Sequence, residues 1–388
     1  MLKDQKILLC VTGGIAAYKA IDLASRLHKA GAKVKTVLTA NARQFVTPLN
    51  FAAITSESVH TEMFTDADPI PHISLADWAD LVVVAPATAN VMAKAVHGIA
   101  DDLMSSMLLA HTKPILWVPA MNVNMYSHPA TQDNINALRV RGHHILEPMT
   151  GMLACGYEGK GKYPPNDEVI RAIETYLEHT LDLTGFRILI TAGATVEAID
   201  PMRMITNRSS GKTGLALARA AKLRGAGVTL IHAHVTQSIP YYLDKVLKAE
   251  TVDIMHKAVQ AELKNHDWLI MCAAVSDYRP AQPKKQKIKK GKDLTIDLVP
   301  TPDILTEATK HKTKRQKFIG FAAETNDHAA NARDKLTRKG LDMIIANDLQ
   351  VAGADATEVL AITTKESIPI KGDKLDVAHQ ILSIILSL

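Results

Sequence analysis

Cysteine is scarce in this chain, with three residues in 388, at Cys10, Cys155 and Cys272. No paired spacing relates them, which argues against a disulfide or zinc framework and for a reducing compartment. A cytoplasmic protein is therefore expected. Aromatic residues make up only 4%, and the 47% apolar content is carried mainly by Ala, Val, Ile and Leu, as in alternating α/β proteins. No segment approaches the ~20 apolar residues that span a bilayer. The opening MLKDQKILLCVTGG reads as a strand and a turn rather than a signal peptide. Charge of one sign is also modest. A net charge of +5 suits anionic small molecules but is too weak to imply nucleic acid.

What is present is a pattern that occurs twice. The strand KILLCV, the turn TGG, a helix from about Ile15 to Ala30 and the strand KVKTVLT open the chain. After residue 185 come FRILITAG, a long loop, a helix from about Thr213 to Arg224 and GVTLIHA. Both helices run into a Gly-Ala pair, Gly31-Ala32 and Gly225-Ala226, the expected glycine stop. Such units build parallel, doubly wound sheets that bind ligands beyond the strands' carboxyl ends. The length and pattern predict an α/β protein with two Rossmann-like domains, residues 1–182 and 183–388.

The dinucleotide signature is missing as well. TGGIAA lacks the G-x-G-x-x-G spacing, and Leu38-Thr39-Ala40-Asn41 offers no acid for a ribose hydroxyl. A Gly-Gly turn opening a helix still presents backbone N–H groups to one phosphate, which suits a mononucleotide such as flavin mononucleotide (FMN). APATAN and PAMN are expected at strand carboxyl ends, where small residues leave room for a flat ring beside Asn90 and Asn122. In GMLACGYEGKGKY four glycines exclude a helix and suit a strand poorly. This puts Cys155 on a mobile loop, whereas Cys10 and Cys272 sit in apolar runs that read as buried strands.

His72 in PHISLADWAD, Asn122 in PAMNVNMY and Cys155 in ACGYEGKGK resemble, in order and context, the flavin-dependent cysteine decarboxylases, which include the phosphopantothenoylcysteine decarboxylases. The likeness spans roughly residues 6–170. It implies a homo-oligomeric, trimer-based flavoprotein in which the CH₂–SH group of the substrate is first oxidised to a thioaldehyde. That group is the electron sink that lets carbon dioxide leave. By resemblance, Cys155 then donates a proton to carbon, His72 positions the reacting groups or accepts a proton, and Asn122 holds the substrate carboxylate. Gly13, Gly14, Ile15, Thr39, Asn41, Thr88, Ala89, Asn90 and Ala120 match the FMN-contacting positions. Tyr126 stands where tryptophan is common, and Lys162 and Tyr163 stand in GKYPP where the family usually has G-R-M-x-E.

In the second half, Gly211-Lys212-Thr213 invites a P-loop reading. Thr206 occupies the position of the required glycine, and DPMRMITNRSS reads as a loop rather than a strand. Instead TAGATVEAIDPMRMITNRSSGKTG, AAVSDYRP, KIKK, TPDIL and GFAAET resemble the phosphopantothenate–cysteine ligases over about residues 187–387. Departures are Val196 for a common arginine and Thr213 for a common methionine. PKKQKIKKGK carries six lysines in ten residues ahead of an expected strand, LTIDLVP. Placed inside a domain, it suits a loop closing on a triphosphate. The resemblance implies that Lys287 offsets charge as the carboxylate of 4′-phosphopantothenate attacks CTP, and that Asn207 holds the acyl-cytidylate while cysteine attacks. It further implies CTP contacts at Ala273, Asp277, Pro302, Asp303, Ile304, Leu305, Phe321, Lys335 and Lys339. Magnesium is expected with three phosphates, with unknown protein ligands. His232 and His234 lack a third partner for a metal. Together the halves imply a dimeric ligase feeding 4′-phosphopantothenoylcysteine to the decarboxylase, with no nucleic acid or membrane partner. The rival readings are a flavin storage protein or peptidyl-cysteine decarboxylase with a degenerate second half, and a lysine-rich nucleic-acid binder.

Overall fold

The computed structural model describes residues 2–64, 69–289, 291, 294–324, 328–348 and 356–388. Lys290 and Lys292 of the lysine run and Thr325 of GFAAET lie outside the described residues. Contacts divide the chain into two units, Met1–Leu181 and Asp182–Leu388. Among the described residues no helix is long and apolar enough to cross a membrane.

The first unit runs β1 (Lys6–Val11), α1 (Tyr18–Lys29), β2 (Lys33–Leu38), α2 (Pro48–Thr55), β3 (Val59–His60), α3 (Pro71–Trp78) and β4 (Leu81–Ala87). It continues through α4 (Ala89–His97), α5 (Leu103–Ala110), β5 (Ile115–Pro119), α6 (Val123–Ser127), α7 (Pro129–Val140) and β6 (His144–Ile145). A hairpin of β7 (Met149–Met152) and β8 (Glu158–Lys162), then α8 (Asn166–Glu178), complete it. Six parallel strands take the order β3-β2-β1-β4-β5-β6. KILLCV is buried from Ile7 onward and LVVVAPA throughout, as central strands covered on both faces must be. Helix α1 buries Ala20, Leu23, Ala24 and Leu27, a stripe of helical period, and turns its Asp22–Arg26 ion pair outward.

The second unit begins with β9 (Arg187–Ala192), β10 (Val196–Ala198), β11 (Met204–Thr206), α9 (Lys212–Leu223), β12 (Gly227–His232), β13 (Lys245–Lys248), α10 (Val252–Leu263) and β14 (Trp268–Met271). It continues with β15 (Tyr278–Pro280), β16 (Leu298–Pro300), α11 (Ile304–Thr309), β17 (Lys317–Glu324), α12 (His328–Arg338) and β18 (Met343–Asp348). It ends with β19 (Ala356–Thr363), β20 (Ser367–Asp373) and α13 (Lys374–Ser387). The main sheet has the order β13-β12-β9-β14-β17-β18-β19-β20. Its first six strands are parallel and repeat the winding of the first unit, while β19 and β20 join antiparallel.

The Gly-Ala stops form as expected. Gly31 and Gly225 take φ of 93° and 92°, and Ala32 N donates to Leu27 O as Ala226 N does to Ala221 O. This is the double closure of a Schellman cap. Four expectations are corrected. Gly151, Gly159 and Gly161 lie in strands. Met204–Thr206 is a strand paired with Val196–Ala198 rather than part of a loop. Only Leu298–Pro300 of LTIDLVP pairs as a strand, with β15. Cys272 lies one residue past β14 and is half-buried, whereas Cys10 is fully buried.

Candidate active sites

The residues of the first site gather where the strand order reverses, at the carboxyl ends of β1 and β4, the usual ligand position in a doubly wound sheet. Thr12, fully buried, ties the two ends together. Its hydroxyl donates to Pro86 O at 2.7 Å and accepts from Thr88 N at 3.0 Å. Gly13 is required by proximity, because a Cβ there would lie 2.3 Å from Asn41 Cβ. Gly14 opens the short turn Ile15–Ala17 beside Thr88, whose Cγ2 would be 3.7 Å from an added Cβ. Thr39 Oγ1 accepts from Ala42 N at 3.2 Å and holds the loop after β2. Thr88 is the N-cap of α4 without a side-chain cap, so the first turn, with Ala89 and Asn90, keeps free amides and the positive end of the helix dipole. Ala120 N bonds Ala87 O at 3.1 Å and brings the end of β5 alongside. Small side chains, open amides and an exposed Ile15 fit a flat, phosphate-bearing ring.

Cys155 tops the β7–β8 hairpin, exposed to solvent. Asn122 caps α6 through Oδ1, which accepts from Asn124 N at 2.8 Å. Its Nδ2 donates to Cys155 Sγ at 3.3 Å. The two motifs, 33 residues apart, are thus one contact. The Asn122 amide, with backbone N–H groups of the turn, holds the thiol below its ordinary pKa, because donors aimed at sulfur favour the thiolate. The glycines make this approach possible. A Cβ on Gly161 would lie 2.2 Å from Met121 O, and one on Gly159 would lie 2.5 Å from Val123 Cγ2. Met121 N donates to Gly161 O at 3.0 Å. His72 sits in the first turn of α3, half-buried, with Nδ1 buried and without a hydrogen-bond partner among the described residues. No hydrogen bond joins His72 to Asn122 or Cys155 among the described residues.

In the second unit the residues expected around CTP meet in one cavity of about 550 Å³. Asn207, Ala273, Asp277, Pro302, Asp303, Ile304, Leu305, Phe321, Lys335 and Lys339 all line it. Asn207 Nδ2 reaches Ala274 O and Val275 O at 3.3 and 3.1 Å. Ala273 N is held by Thr191 Oγ1 at 3.1 Å, and Asp277 O accepts from Thr301 N at 2.9 Å. Asp303 caps α11 and accepts from Lys339 Nζ at 2.6 Å. Burial raises its pKa, but Lys339 and the Thr306 amide outweigh that and keep it below the ordinary carboxylate value. GKTG opens α9 at the cavity wall. Gly211 takes φ of 74°, and a Cβ on Gly214 would stand 2.6 Å from Ala192 Cβ.

Lys287 is the exception. It is exposed and does not line the cavity. The root of its loop is fixed next door, where Ile288 N donates to Asp200 Oδ2 at 3.0 Å and Arg203 donates to Ile288 O at 3.2 Å. The cavity also has walls that the motifs did not reveal, namely Cys272 and Lys374, Val377 and Ile381 of α13. Burial pushes the Cys272 thiol up to about 12, so it stays protonated. Nothing local in the sequence of α13 signalled the cavity. Thr12 was legible only as part of TGG. Among the described residues no cluster of three or more His, Cys, Asp or Glu side chains could hold a metal.

Comparison with known proteins covers both halves. A family described as flavoprotein matches residues 1–178, and one described as DNA/pantothenate metabolism flavoprotein C-terminal domain matches residues 183–388. The coenzyme A biosynthesis bifunctional protein CoaBC of Bacillus subtilis (strain 168) is 44% identical over 400 residues, covering 100% of this chain and 98% of the relative. The protein of that name from Vibrio cholerae is 44% identical over 357 residues, covering 91% and 89%. A crystal structure of the C-terminal domain of a coenzyme A biosynthesis bifunctional protein CoaBC is 37% identical. It covers 54% of this chain and 97% of that one, at a TM-score of 0.47.

Proposed function

The chain belongs to the family of bifunctional coenzyme A biosynthesis proteins, and from that premise we propose how its two units divide a ligation and a decarboxylation. The second unit joins cysteine to 4′-phosphopantothenate at the expense of CTP. The first decarboxylates the product, 4′-phosphopantothenoylcysteine, to 4′-phosphopantetheine. The observation that supports this best is the cavity collecting ten residues from separate segments of the second half.

In the ligase cavity the substrate carboxylate attacks the α-phosphate of CTP, forming an acyl-cytidylate and releasing pyrophosphate. Lys335, Lys339 and the amides at the start of α9 offset the phosphate charge. Lys287 joins them when its loop closes from the exposed position it holds here. Asn207 then orients the mixed anhydride for the amine of cysteine, and cytidine monophosphate leaves. Magnesium would be held chiefly by the phosphates and water, with Asp277 as the available carboxylate.

In the first unit Gly13, Gly14, Ile15, Thr39, Asn41, Thr88, Ala89, Asn90 and Ala120 would hold FMN. Bound there, the flavin would supply a reversible hydride acceptor. Asn122 holds the substrate carboxylate, His72 positions the reacting groups or accepts a proton, and Cys155 gives the product carbon its proton. The donor from Asn122 to sulfur stabilises the thiolate left behind. We further propose a cytoplasmic homo-oligomer, trimeric through the first unit and dimeric through the second. Exposed Ile70, Ile73 and Leu109, and exposed Met202, Met204 and Tyr278, are apolar surfaces available for those contacts.

Mass spectrometry of quenched mixtures tests the whole. The purified chain should absorb as a flavoprotein. It should form acyl-cytidylate from CTP and phosphopantothenate without cysteine, and 4′-phosphopantetheine with it. ATP should substitute poorly for CTP. A folded, colourless protein that forms neither species refutes the proposal.

A further inference from the structure

Side chains from three segments meet at Glu147, whose side chain is 16% exposed. Tyr126 of α6 donates its hydroxyl to Oε2 at 2.7 Å, Lys160 of β8 reaches the same oxygen at 2.6 Å, and Arg139 of α7 pairs with Oε1. The Lys160 ammonium also lies 5.5 Å from the centre of the Tyr126 ring. Tyr126 N donates to Asn122 O at 2.9 Å, so the residue that grips Glu147 closes the helical turn that Asn122 caps. The contacts form a circuit from Cys155 to Asn122, through Tyr126 and Glu147 to Lys160, and along β8 back to the hairpin tip.

That circuit matters because the hairpin is lightly held. Beside the backbone bond from Met121 N to Gly161 O and the Lys160 contact with the Tyr126 ring, the polar side-chain attachments found among the described residues between the hairpin and the rest of the unit are Asn122 to Cys155 and Lys160 to Glu147. Burial alone would raise the Glu147 pKa, yet Lys160 and Tyr126 hold it below the ordinary carboxylate value. The carboxylate therefore remains an anion able to bind two cations at once.

We propose that Glu147 is a positioning residue, a latch that grips the hairpin through Lys160 and the α6 turn through Tyr126 so that the Asn122 amide stays on the Cys155 sulfur. The proposal rests on the reading of Cys155 as proton donor, and its test does not depend on turnover. Loss of the latch frees the hairpin tip, and the sulfur loses the donor that favours its thiolate.

The experiment uses the full chain as wild type, Glu147→Gln, Lys160→Met and, for reference, Asn122→Ala. Cys155 is alkylated with iodoacetamide across a pH series and its peptide is quantified by mass spectrometry. Chymotryptic cleavage after Tyr157 is timed in parallel, with flavin absorbance and thermal midpoint reporting folding. In both latch variants the alkylation midpoint should climb toward the ordinary thiol value of about 8.5, as in Asn122→Ala. Cleavage after Tyr157 should quicken. Wild-type midpoints and cleavage rates in folded latch variants overturn the proposal. A lowered thermal midpoint with an unmoved alkylation profile also overturns it, since that marks a purely structural carboxylate. If Glu147→Gln does not fold, Lys160→Met decides, because that side chain is 47% exposed. The proton-donor reading fails separately, if Cys155→Ser forms saturated product at the wild-type rate.

Discussion

At Cys155 the proposed chemistry requires the protonated thiol, while Asn122 favours the thiolate. These demands set a pH dependence. Formation of saturated product should be level at low pH and fall as pH rises through the lowered thiol pKa. Asn122→Ala should move that fall to higher pH. The ratio of saturated to unsaturated thiol product, followed from about pH 6 to pH 9 around the ordinary thiol value, isolates the proton step from carboxylate binding. Gly161→Ala tests the approach of the hairpin, since its Cβ would lie 2.2 Å from Met121 O. A displacement of that size should cost on the order of a hundredfold in decarboxylation while ligation, assayed on the same sample, is unchanged. Cys155 and Asn122 were legible from their sequence contexts, but their contact was not, because it closes across 33 residues. Gly156 lies in the turn as read, whereas Gly151, Gly159 and Gly161, read as loop residues, lie in strands. Propensity counts the entropy they lose and cannot count the neighbouring backbone that they admit.

Among the elements, those set by local chemistry were legible, including the buried strand runs, the helix stripes and the two Gly-Ala caps. The three-residue strands β10, β11 and β15 were not, since their pairing depends on partners elsewhere rather than on propensity, and of the expected strand LTIDLVP only β16 pairs. The hairpin of β10 and β11 also carries Asp200, the anchor of the lysine loop. Its side chain is buried and accepts from the amides of Met202, Arg203 and Ile288 and from the Arg203 guanidinium. Burial raises its pKa, and these donors outweigh burial and bring it to about 2. The folded value lies below the ordinary carboxylate value of about 3.9. The stabilisation is therefore complete above that pH and is lost as pH falls through the folded value. Asp200→Asn should lower the stability of the second unit most above the ordinary carboxylate value, by a margin that shrinks between these limits and vanishes below them. Fluorescence of Trp268, the sole tryptophan of residues 182–388, provides the measurement. Lys287 shows the limit of motif reading, because charge and spacing identified a loop without saying where it rests.

At the scale of the molecule, the boundary between units is chemically defined. Arg224, 1% exposed, pairs with Asp182 at 2.6 Å and donates to His379 O and Ser383 Oγ at 2.9 and 3.1 Å. A fragment of residues 182–388 keeps this arrangement, whereas one of residues 183–388 strands a buried guanidinium. The shorter fragment should be less stable by about 3 kcal/mol in chemical denaturation, the lower end for removing one partner of a buried pair. Residues 1–181 should fold alone and retain flavin colour. The same arginine ties the end of α9 to α13 across 155 residues, and α13 also walls the cavity. That tie has a consequence for synthesis. Domains emerging from the ribosome fold as they are completed, so the first unit can form while the second is still being translated. The cavity of the second unit must wait until residues 374–387 have cleared the exit tunnel. In the proposed assignment, the enzyme half that acts second in the reaction is born first, and the half that acts first is the last to mature.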